Sequence, residues 1–225
     1  MPVEAILVTD AEIDHTLGTV LLREGGHLSL YVTAAVQAVL EHDSRVLPLT
    51  RAFAEVSITS LPLGASVVLR DRDGAASGLV AEAFAVPGGP PRFATSSAEG
   101  HTIGIELRAE AGGGTCAFVP GCGDLCPALL DRLARADVLL FDGTFWSDDE
   151  MITLGLSDRT ARQMDHLPMS GPGGSLEQLA RLPCRHRIYT HINNTNPALV
   201  EHSAERALIE QAGLIVGMDG LRIEV

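Results

Sequence analysis

The sequence predicts a mixed α/β fold organised as one domain across residues 1–225. Short apolar runs rich in β-branched residues alternate with segments of helical periodicity, which is typical of layered α/β proteins. Hydrophobic residues make up 46% of the chain and aromatic residues 4%, as in an ordinary globular protein. A length of 225 residues allows one large domain with a substantial buried core.

Nine segments have the apolar, β-rich composition of strands. The first, EAILVT, is nearly all apolar, as expected of a strand that is covered on both faces. The nine predicted strands cover residues 5–9, 28–32, 66–70, 78–86, 102–108, 116–120, 137–142, 187–192 and 221–225.

Five segments of helical spacing lie between these strands, most of them in the C-terminal half, and several begin with a serine or threonine that can cap a helix. The segment 86–101, VPGGPPRFATSSAEGH, has the composition of a loop and resembles an interdomain linker. We interpret it as a surface loop of one domain, because the strands on both sides are short and need one another to build a sheet. The predicted helices cover residues 33–42, 126–136, 157–164, 175–182 and 203–213.

The net charge and the hydropathy pattern limit the partners and the cellular location that we predict for this protein. The formal net charge is −13 with only 16 basic residues, which disfavours a nucleic acid or an acidic membrane surface as partner. The chain opens MPVEAILVTD without the pattern of a signal peptide, and its apolar stretches are shorter than the ~18 residues of a spanning helix. We therefore predict a cytoplasmic protein without membrane insertion.

Cys116, Cys122, Cys126 and Cys184 permit disulfides or a zinc site by number alone. Their spacing fits neither a disulfide framework nor a zinc site well. The two cysteines of CGDLC lie on one short loop, and the chain has no second pair of cysteines with matching spacing. Idle or buried thiols in a reducing compartment are the simpler interpretation.

The segment TDAEIDHTLG places four ionisable side chains directly after the first predicted strand: Asp10, Glu12, Asp14 and His15. Clustered carboxylates repel one another and raise each other's pKa unless a cation or hydrogen-bond donors hold them. A bound metal ion is therefore the hypothesis for this loop.

The same pattern, a buried strand that ends in Asp or His before a turn, recurs at Asp142 and at His191. Strand ends of layered α/β proteins lie on a common rim, so these side chains can converge. Such a set is rich in oxygen donors, which favours iron or manganese and leaves zinc as an alternative. Taken singly, Asp142 can cap a turn and His191 can bond backbone carbonyls. The predicted metal ligands are Asp10, Asp14, His15, Asp142 and His191, with Glu12 as a further candidate.

Three more segments carry candidate site residues. HINNTNP places Asn193 and Asn194 behind His191, where they can orient the imidazole, meet substrate or form the turn before a proline. MDHLPMSGPGG places His166 and Ser170 before a glycine-rich helix entry that can bind an anion. The single tryptophan, Trp146, lines either a substrate pocket or the core.

Five motifs together resemble the pyrroloquinoline quinone (PQQ) biosynthesis protein B family, a branch of the metallo-β-lactamase superfamily: TDAEIDHTLG, LLREG, DGTFWSDDEM, MDHLPMSGPGGSLE and HINNTNP. The resemblance implies an αββα sandwich. Aligned with the superfamily motif His-x-His-x-Asp-His, Asp10 and Glu12 stand where two histidines are usual, whereas Asp14 and His15 match. Hydrolysis by a zinc pair is therefore disfavoured, and Asp14, His15 and His191 remain around the second metal position.

The resemblance further implies oxidative hydroxylation of the tyrosine ring in a peptide-derived Glu-Tyr precursor. The expected cofactor is Fe(II), with Zn(II) as the alternative and O2 as co-substrate, and the expected catalytic residues are Asp14, His15 and His166. Expected partners are a small modified amino acid or peptide and other proteins of the PQQ pathway. The alternatives are a non-catalytic carrier of PQQ or its precursor to the periplasm, and a metal-dependent hydrolase.

Members of this family usually carry a β-rich segment and a cysteine cluster for structural zinc ahead of the TDAEIDH strand. This chain begins a few residues before that strand, so the sandwich is expected to lack its N-terminal strands. An exposed sheet edge would then favour self-association, for example as a homodimer, and the 225-residue form would be less stable and bind metal more weakly than an extended one.

Overall fold

The computed structural model describes residues 3–22, 24, 26–71 and 73–225 of the chain. They form two compact units: unit 1 comprises Met1–Ala85 and Gly89–Gly112, and unit 2 comprises Val86–Gly88 and Gly113–Val225. One domain across residues 1–225 stays a prediction. Within the described residues, no helix is long and apolar enough to cross a membrane.

Unit 1 contains a parallel three-stranded sheet, in which β2 lies between β1 and β3. The connection from β2 to β3 is helical, as a parallel pair requires. Thr33 begins it by accepting a hydrogen bond from the Val36 amide, an N-cap that the sequence predicted. The elements are β1 (Ile6–Leu7), α1 (Ile13–Thr16), α2 (Gly18–Leu21), β2 (His27–Val32), α3 (Ala34–Ala38) with a π-helical turn (Val39–Asp43), α4 (Val46–Arg51) and β3 (Glu55–Ser60).

Unit 1 also contains an antiparallel meander of three strands, β4 (Ser66–Arg70), β5 (Ala76–Ala85) and β6 (Ile103–Ala109). Strand β2 is packed on both faces. Leu30 and Val32 join a core cluster with the helical segments, whereas Tyr31 joins a cluster with β4, β5 and β6. Opposite burial of neighbouring residues follows from the two-residue period of a strand. Helices, parallel sheet and meander are therefore successive layers of unit 1.

Unit 2 is a parallel four-stranded sheet of order β7, β8, β9, β10 with helices between its strands. Tyr189 of β9 is fully buried, and its hydroxyl lies 2.8 Å from that of Ser175, which joins the sheet to α7. Burial raises the pKa of Tyr189, so this bond is made by the neutral phenol. The elements are β7 (Thr115–Val119), α5 (Pro127–Leu133), β8 (Val138–Asp142), α6 (Glu150–Thr153), α7 (Ser175–Ala180), β9 (His186–Thr190), α8 (Ala204–Gln211) and β10 (Ile215–Val216).

Two predicted elements are wrong. Residues 221–225 are not a strand, and the last strand is Ile215–Val216. The predicted helix at 157–164 contains only a 3-10 turn at Arg162–Met164. In that segment the Ser157 hydroxyl and the Gln163 side chain accept backbone amide hydrogens that a helix would use, which explains why helical spacing does not produce a helix.

Several elements were missed, namely strands β3 and β10 and helices α1, α2, α4 and α6. Strand β3 was overlooked because only two residues of EVSITS are strongly apolar, and pairing with β2 decides its conformation. Helix α4 was overlooked because VLPLTR contains Pro48, which lies in the first turn of the helix, where a missing amide hydrogen costs little.

Tyr31 makes a hydrogen bond between the two sheets of unit 1, because its hydroxyl accepts the amide hydrogen of Arg70 at 2.8 Å. We expect Tyr31→Phe to lower the free energy of unfolding by about 1 kcal/mol, since the phenyl ring keeps the packing but leaves the amide without this acceptor. Urea denaturation should show a lower midpoint with an unchanged slope, and an unchanged midpoint would contradict the assignment.

Candidate metal centre

The site in unit 2 is built around Asp142, the last residue of β8. Its side chain is completely buried, and each carboxylate oxygen accepts two hydrogen bonds. Oδ1 accepts the amide of Thr144 at 3.0 Å and its hydroxyl at 2.6 Å, while Oδ2 accepts the amide of Cys122 at 3.0 Å and lies 2.7 Å from His166 Nδ1.

These donors determine the charge of Asp142. Burial by itself would raise the pKa of the carboxyl group, but the charge and hydrogen bond of His166, with the hydrogen bonds of Thr144, hold the pKa well below its ordinary value. Asp142 is therefore a buried carboxylate anion at neutral pH.

Two histidines lie beside this carboxylate. His166 Nδ1 contacts Asp142 directly, whereas His191 Nδ1 lies 3.8 Å from Asp142 and 2.7 Å from the Thr144 hydroxyl. The two imidazole rings are stacked, with centroids 5.5 Å apart and planes 18° from parallel. The residues Asp142, Thr144, His166 and His191 are called the Asp142 cluster below.

The backbone holds both histidines in uncommon positions. His191 itself has φ of +52°, and Asp165, directly before His166, has φ of +62°. A residue other than glycine in this left-handed region costs of order 1–3 kcal/mol, so surrounding contacts must compensate. Strained backbone at two residues beside clustered imidazoles supports a functional site at the two loops that carry His166 and His191.

Neighbouring loops provide those contacts. The Leu167 amide donates to the Cys122 carbonyl at 2.7 Å, which holds the His166 loop over Asp142. Buried Asn196 donates from Nδ2 to the Gly143 carbonyl at 2.9 Å and ties the segment after His191 to the turn after β8.

The acidic segment after Trp146 is also part of this framework. Buried Glu150 accepts the Trp146 amide at 2.7 Å and the Thr195 hydroxyl at 2.6 Å. Thr195 in turn accepts a hydrogen bond from Asn193 at 2.6 Å, so Asn193 orders the His191 loop, whereas Asn194 is exposed. Ser170 donates to the Trp146 carbonyl at 2.8 Å, and Trp146 is half-buried. Contacts of Trp146, Ser170, Asn193 and Asn194 with substrate stay predictions.

The other predicted ligands lie in unit 1, where Asp10 follows β1. Its buried carboxylate accepts the Thr9 hydroxyl and the Glu12 amide, each at 3.0 Å, and lies 2.6 Å from His15 Nδ1. Asp14 is exposed and lies 3.7 Å from His15 Nε2. Asp10 therefore orients His15 through Nδ1, and Asp14 lies near the second ring nitrogen.

The Asp10–His15 pair shifts both pKa values. Burial would raise the pKa of Asp10, but the hydrogen bond and charge of His15 and the Glu12 amide lower it overall. Burial would lower the pKa of His15, but the hydrogen bond and charge of Asp10 raise it above 6.5. The pair is thus a carboxylate beside a readily protonated imidazole.

Asp10, Asp14 and His15 belong to unit 1, whereas Asp142, His166 and His191 belong to unit 2. That all the predicted ligands serve one metal ion stays a prediction. The sequence missed Thr144, although its place two residues after a strand-terminal aspartate is typical of a side chain that bonds that aspartate.

The donor set of unit 2 fits a transition metal. One ligand atom each from Asp142, His166 and His191 lies within 4.8 Å of the others, and both imidazoles are only partly buried. Two imidazoles with a carboxylate are ligands that iron, zinc and copper accept.

All four cysteines lie in the described residues and are free thiols, so no disulfide joins the segments around the Asp142 cluster. Burial raises the pKa of Cys122 to about 12, and its thiol donates to the Asp124 carbonyl at 3.0 Å. Cys122 and Cys184 are buried, Cys116 is half-buried and Cys126 is exposed, and that the thiols are idle stays a prediction.

Comparison with known proteins defines the class of this fold and site. Residues 1–192 match the family model of the β-lactamase superfamily domain, so the chain belongs to that superfamily, and the predicted fold class is confirmed. Yeast PDE1, in a crystal structure without ligand, shares this fold at a TM-score of 0.63 and 14% identity, covering 97% of this chain and 67% of its own.

Closer relatives identify the family. Coenzyme PQQ synthesis protein B of Methylobacterium nodulans is 40% identical over 230 residues, which cover 100% of this chain and 74% of the relative. The protein of the same name from Ruegeria pomeroyi is 42% identical over 228 residues, covering 99% and 74%. The crystal structure of Zn(2+)-bound PqqB from Methylobacterium extorquens matches with a TM-score of 0.84 and 34% identity, covering 99% of this chain and 73% of that one. The chain belongs to the family of coenzyme PQQ synthesis protein B, as the sequence motifs predicted.

The Asp10–His15 contact leads to a prediction for the metal-free protein. We expect Asp10→Asn to lower the pKa of His15, because the substitution removes the carboxylate that raises it and leaves the burial that lowers it. A pH titration of the His15 ring signals by NMR measures the change, and an unchanged His15 pKa would contradict the pairing.

The same pair predicts a pH dependence of stability. Because the folded pKa of His15 lies above the ordinary value of 6.5, its contribution is present below that value and is lost as the pH rises through the folded pKa. The contribution of Asp10, whose folded pKa is lowered, is lost as the pH falls through that pKa. The difference in unfolding free energy between wild type and Asp10→Asn should therefore be largest between these two pKa values.

Proposed function

We propose that this chain acts in PQQ biosynthesis as a metal-dependent enzyme that hydroxylates the tyrosine ring of a small, peptide-derived Glu-Tyr precursor. Family membership supports the pathway, since relatives with about three-quarters of their length matched carry the name coenzyme PQQ synthesis protein B. The observation that carries the chemistry is the Asp142 cluster, in which two imidazoles and a carboxylate lie close enough to serve one metal ion.

Iron is the proposed metal. When bound, Fe(II) supplies the one-electron and O2 chemistry that hydroxylation of an aromatic ring requires. Zinc, which the Methylobacterium extorquens relative binds in its crystal structure, has no redox chemistry and would serve the hydrolytic or carrier alternatives instead. The identity of the metal therefore separates the proposed hydroxylase from its rivals.

The residues of the chain have distinct proposed roles. Asp142 keeps a proton on His166 Nδ1 and leaves Nε2 to bind the metal or to accept the phenolic proton of the substrate. His191 is a proposed metal ligand, and in unit 1 Asp14 and His15 remain proposed ligands and catalytic residues, with Asp10 orienting His15. Half-buried Trp146 is proposed to contact the substrate ring. A cytoplasmic location and other PQQ-pathway proteins as partners belong to the same proposal.

The reaction is tested with protein reconstituted under anaerobic conditions with Fe(II), with Zn(II) or without metal. Each form receives a Tyr-containing or dihydroxyphenyl-containing substrate, O2 and ascorbate as reductant. The proposal expects O2 uptake and a product that has gained one oxygen atom only with iron, the second oxygen atom leaving as water. Tight binding without turnover would instead indicate a carrier, and ester or lactam cleavage with zinc would indicate a hydrolase.

Metal binding is tested separately from turnover by His191→Asn. We expect this variant to lose most of its metal, because an amide replaces an imidazole ligand while asparagine still tolerates the left-handed backbone of this position. Elemental analysis after reconstitution measures the loss.

His202→Asn is the matched control. His202 also has a positive φ, of +67°, but is exposed and lies outside the Asp142 cluster. Metal content should stay at the wild-type value in this variant. Equal metal content in the His191→Asn and His202→Asn variants would show that His191 is not a metal ligand.

A further inference from the structure

We propose that Glu150 is a positioning residue that holds Trp146 at a fixed place relative to the loop after His191, so that the phenol ring of the substrate is oriented at the site. The role deepens the proposed function and depends on it for the substrate. Glu150 itself lies outside the Asp142 cluster and touches neither the metal ligands nor the reacting ring.

Glu150 is a buried acidic residue at the start of a short helix. It is the first of the four residues of α6 and is only 7% exposed. Removing a carboxyl group from water is unfavourable unless its oxygens accept hydrogen bonds. Both oxygens have a donor, because Oε2 accepts the Trp146 amide at 2.7 Å and Oε1 accepts the Thr195 hydroxyl at 2.6 Å.

The two oxygens of Glu150 serve two different segments of the chain. Trp146 lies four residues before Glu150. Thr195 lies 45 residues after it, in the loop that follows His191. Thr195 uses its only hydroxyl hydrogen for Glu150, so its oxygen accepts the hydrogen bond of Asn193 Nδ2 at 2.6 Å. The Glu150 side chain therefore ties the backbone of Trp146 to the loop after His191.

The carbonyl group of Trp146 is tied to the other histidine loop. It accepts the amide and the hydroxyl of Ser170, each at 2.8 Å, and Ser170 lies in the segment after His166. Both main-chain polar groups of Trp146 are thus anchored, while the residue itself is only half-buried. An aromatic side chain that is held in this way and stays partly accessible suits contact with an aromatic ring.

Other hydrogen bonds hold the loop after His191 independently of Glu150. The Asn193 amide donates to the Thr144 carbonyl at 3.1 Å, and Asn196 is bonded to the turn after β8. These contacts stay in place when the Glu150 side chain is changed. Loss of the Glu150 link should therefore loosen the tryptophan segment and leave the metal ligand in position, which separates orientation of the substrate from binding of the metal.

Fluorescence tests this link, because Trp146 is the single tryptophan of the chain. Emission excited selectively at tryptophan measures the access of acrylamide to the indole. Its change on addition of the dipeptide glutamyl-tyrosine gives a dissociation constant for the zinc-loaded protein. Elemental analysis gives the zinc content of each form, and none of these measurements requires turnover.

Thr195→Val breaks the link without changing Glu150 or Trp146. Acrylamide quenching should become stronger and the dipeptide should bind about 2–10-fold more weakly, as expected for loss of one hydrogen bond, at unchanged zinc content. Thr195→Ser keeps the hydroxyl and should restore both values. Ser147→Ala is the matched control, since it removes a hydroxyl–carboxylate bond of 2.9 Å to Asp149 that stays within the acidic segment, and both readouts should stay as in the wild type.

Glu150→Gln tests the same link from its other end, because an amide offers one acceptor oxygen in place of two. If Glu150 and Thr195 act through one link, the double variant should bind the dipeptide no more weakly than the more impaired of the two single variants. Additive losses in the double variant would mean that the two residues act independently and would contradict the link.

A folded Thr195→Val protein with wild-type quenching and dipeptide affinity would overturn the inference, as would an equal loss in Ser147→Ala. Loss of zinc at unchanged dipeptide affinity would also overturn it, since the link would then serve the metal. If Thr195→Val does not fold, Glu150→Gln decides by the same readouts. If the dipeptide binds to none of the forms, the proposed substrate is wrong and acrylamide quenching decides on the link, which separates the two failures.

Discussion

The buried Asp142 carboxylate is the interaction on which the candidate site depends. A buried anion without partners would be strongly unfavourable, so its four donors must be present together in the folded protein. Those donors come from the segment after β7, from the turn after β8 and from the His166 loop, and the second histidine follows β9. Satisfying one charge therefore brings together segments that lie far apart along the chain.

The same solution occurs in unit 1 with a different residue pair. Asp10 follows β1, accepts a neighbouring hydroxyl and a backbone amide, and contacts Nδ1 of His15. Both aspartates use their oxygens for hydrogen bonds within the protein. A carboxylate used in this way affects metal affinity through the histidine that it orients, because tautomer and ring direction must be set before the metal arrives.

Backbone conformation and hydrogen bonding are coupled at the site. Left-handed His191 precedes a loop that Asn196 connects to the turn after β8 and Thr195 connects to Glu150, whereas the loop of left-handed Asp165 is held by the Leu167 amide, which donates to the Cys122 carbonyl. Polar residues that the sequence suggested as substrate contacts, such as Asn193 and Ser170, bond to these loops. The polar composition of these loops therefore reflects the hydrogen bonds that hold His166 and His191 in place, as well as any contact with substrate.

By itself the sequence determined the fold class, the family and most strands, because apolar period, capping residues and long motifs are local properties of the chain. It also identified Asp142, His166 and His191 as candidates, since each follows a recognisable strand or loop signal. Strand β3, helix α4 and the absence of a strand at 221–225 were decided by tertiary structure, because pairing and packing partners override weak local preference. Only the tertiary structure decided what each carboxylate does. Asp10 and Asp142 carry the residue type of a ligand, but hydrogen-bond donors surround both carboxylates. Cys122 and His166 reach Asp142 from distant segments, whereas Thr144 and the donors to Asp10 are neighbours in sequence whose directions only the fold decides.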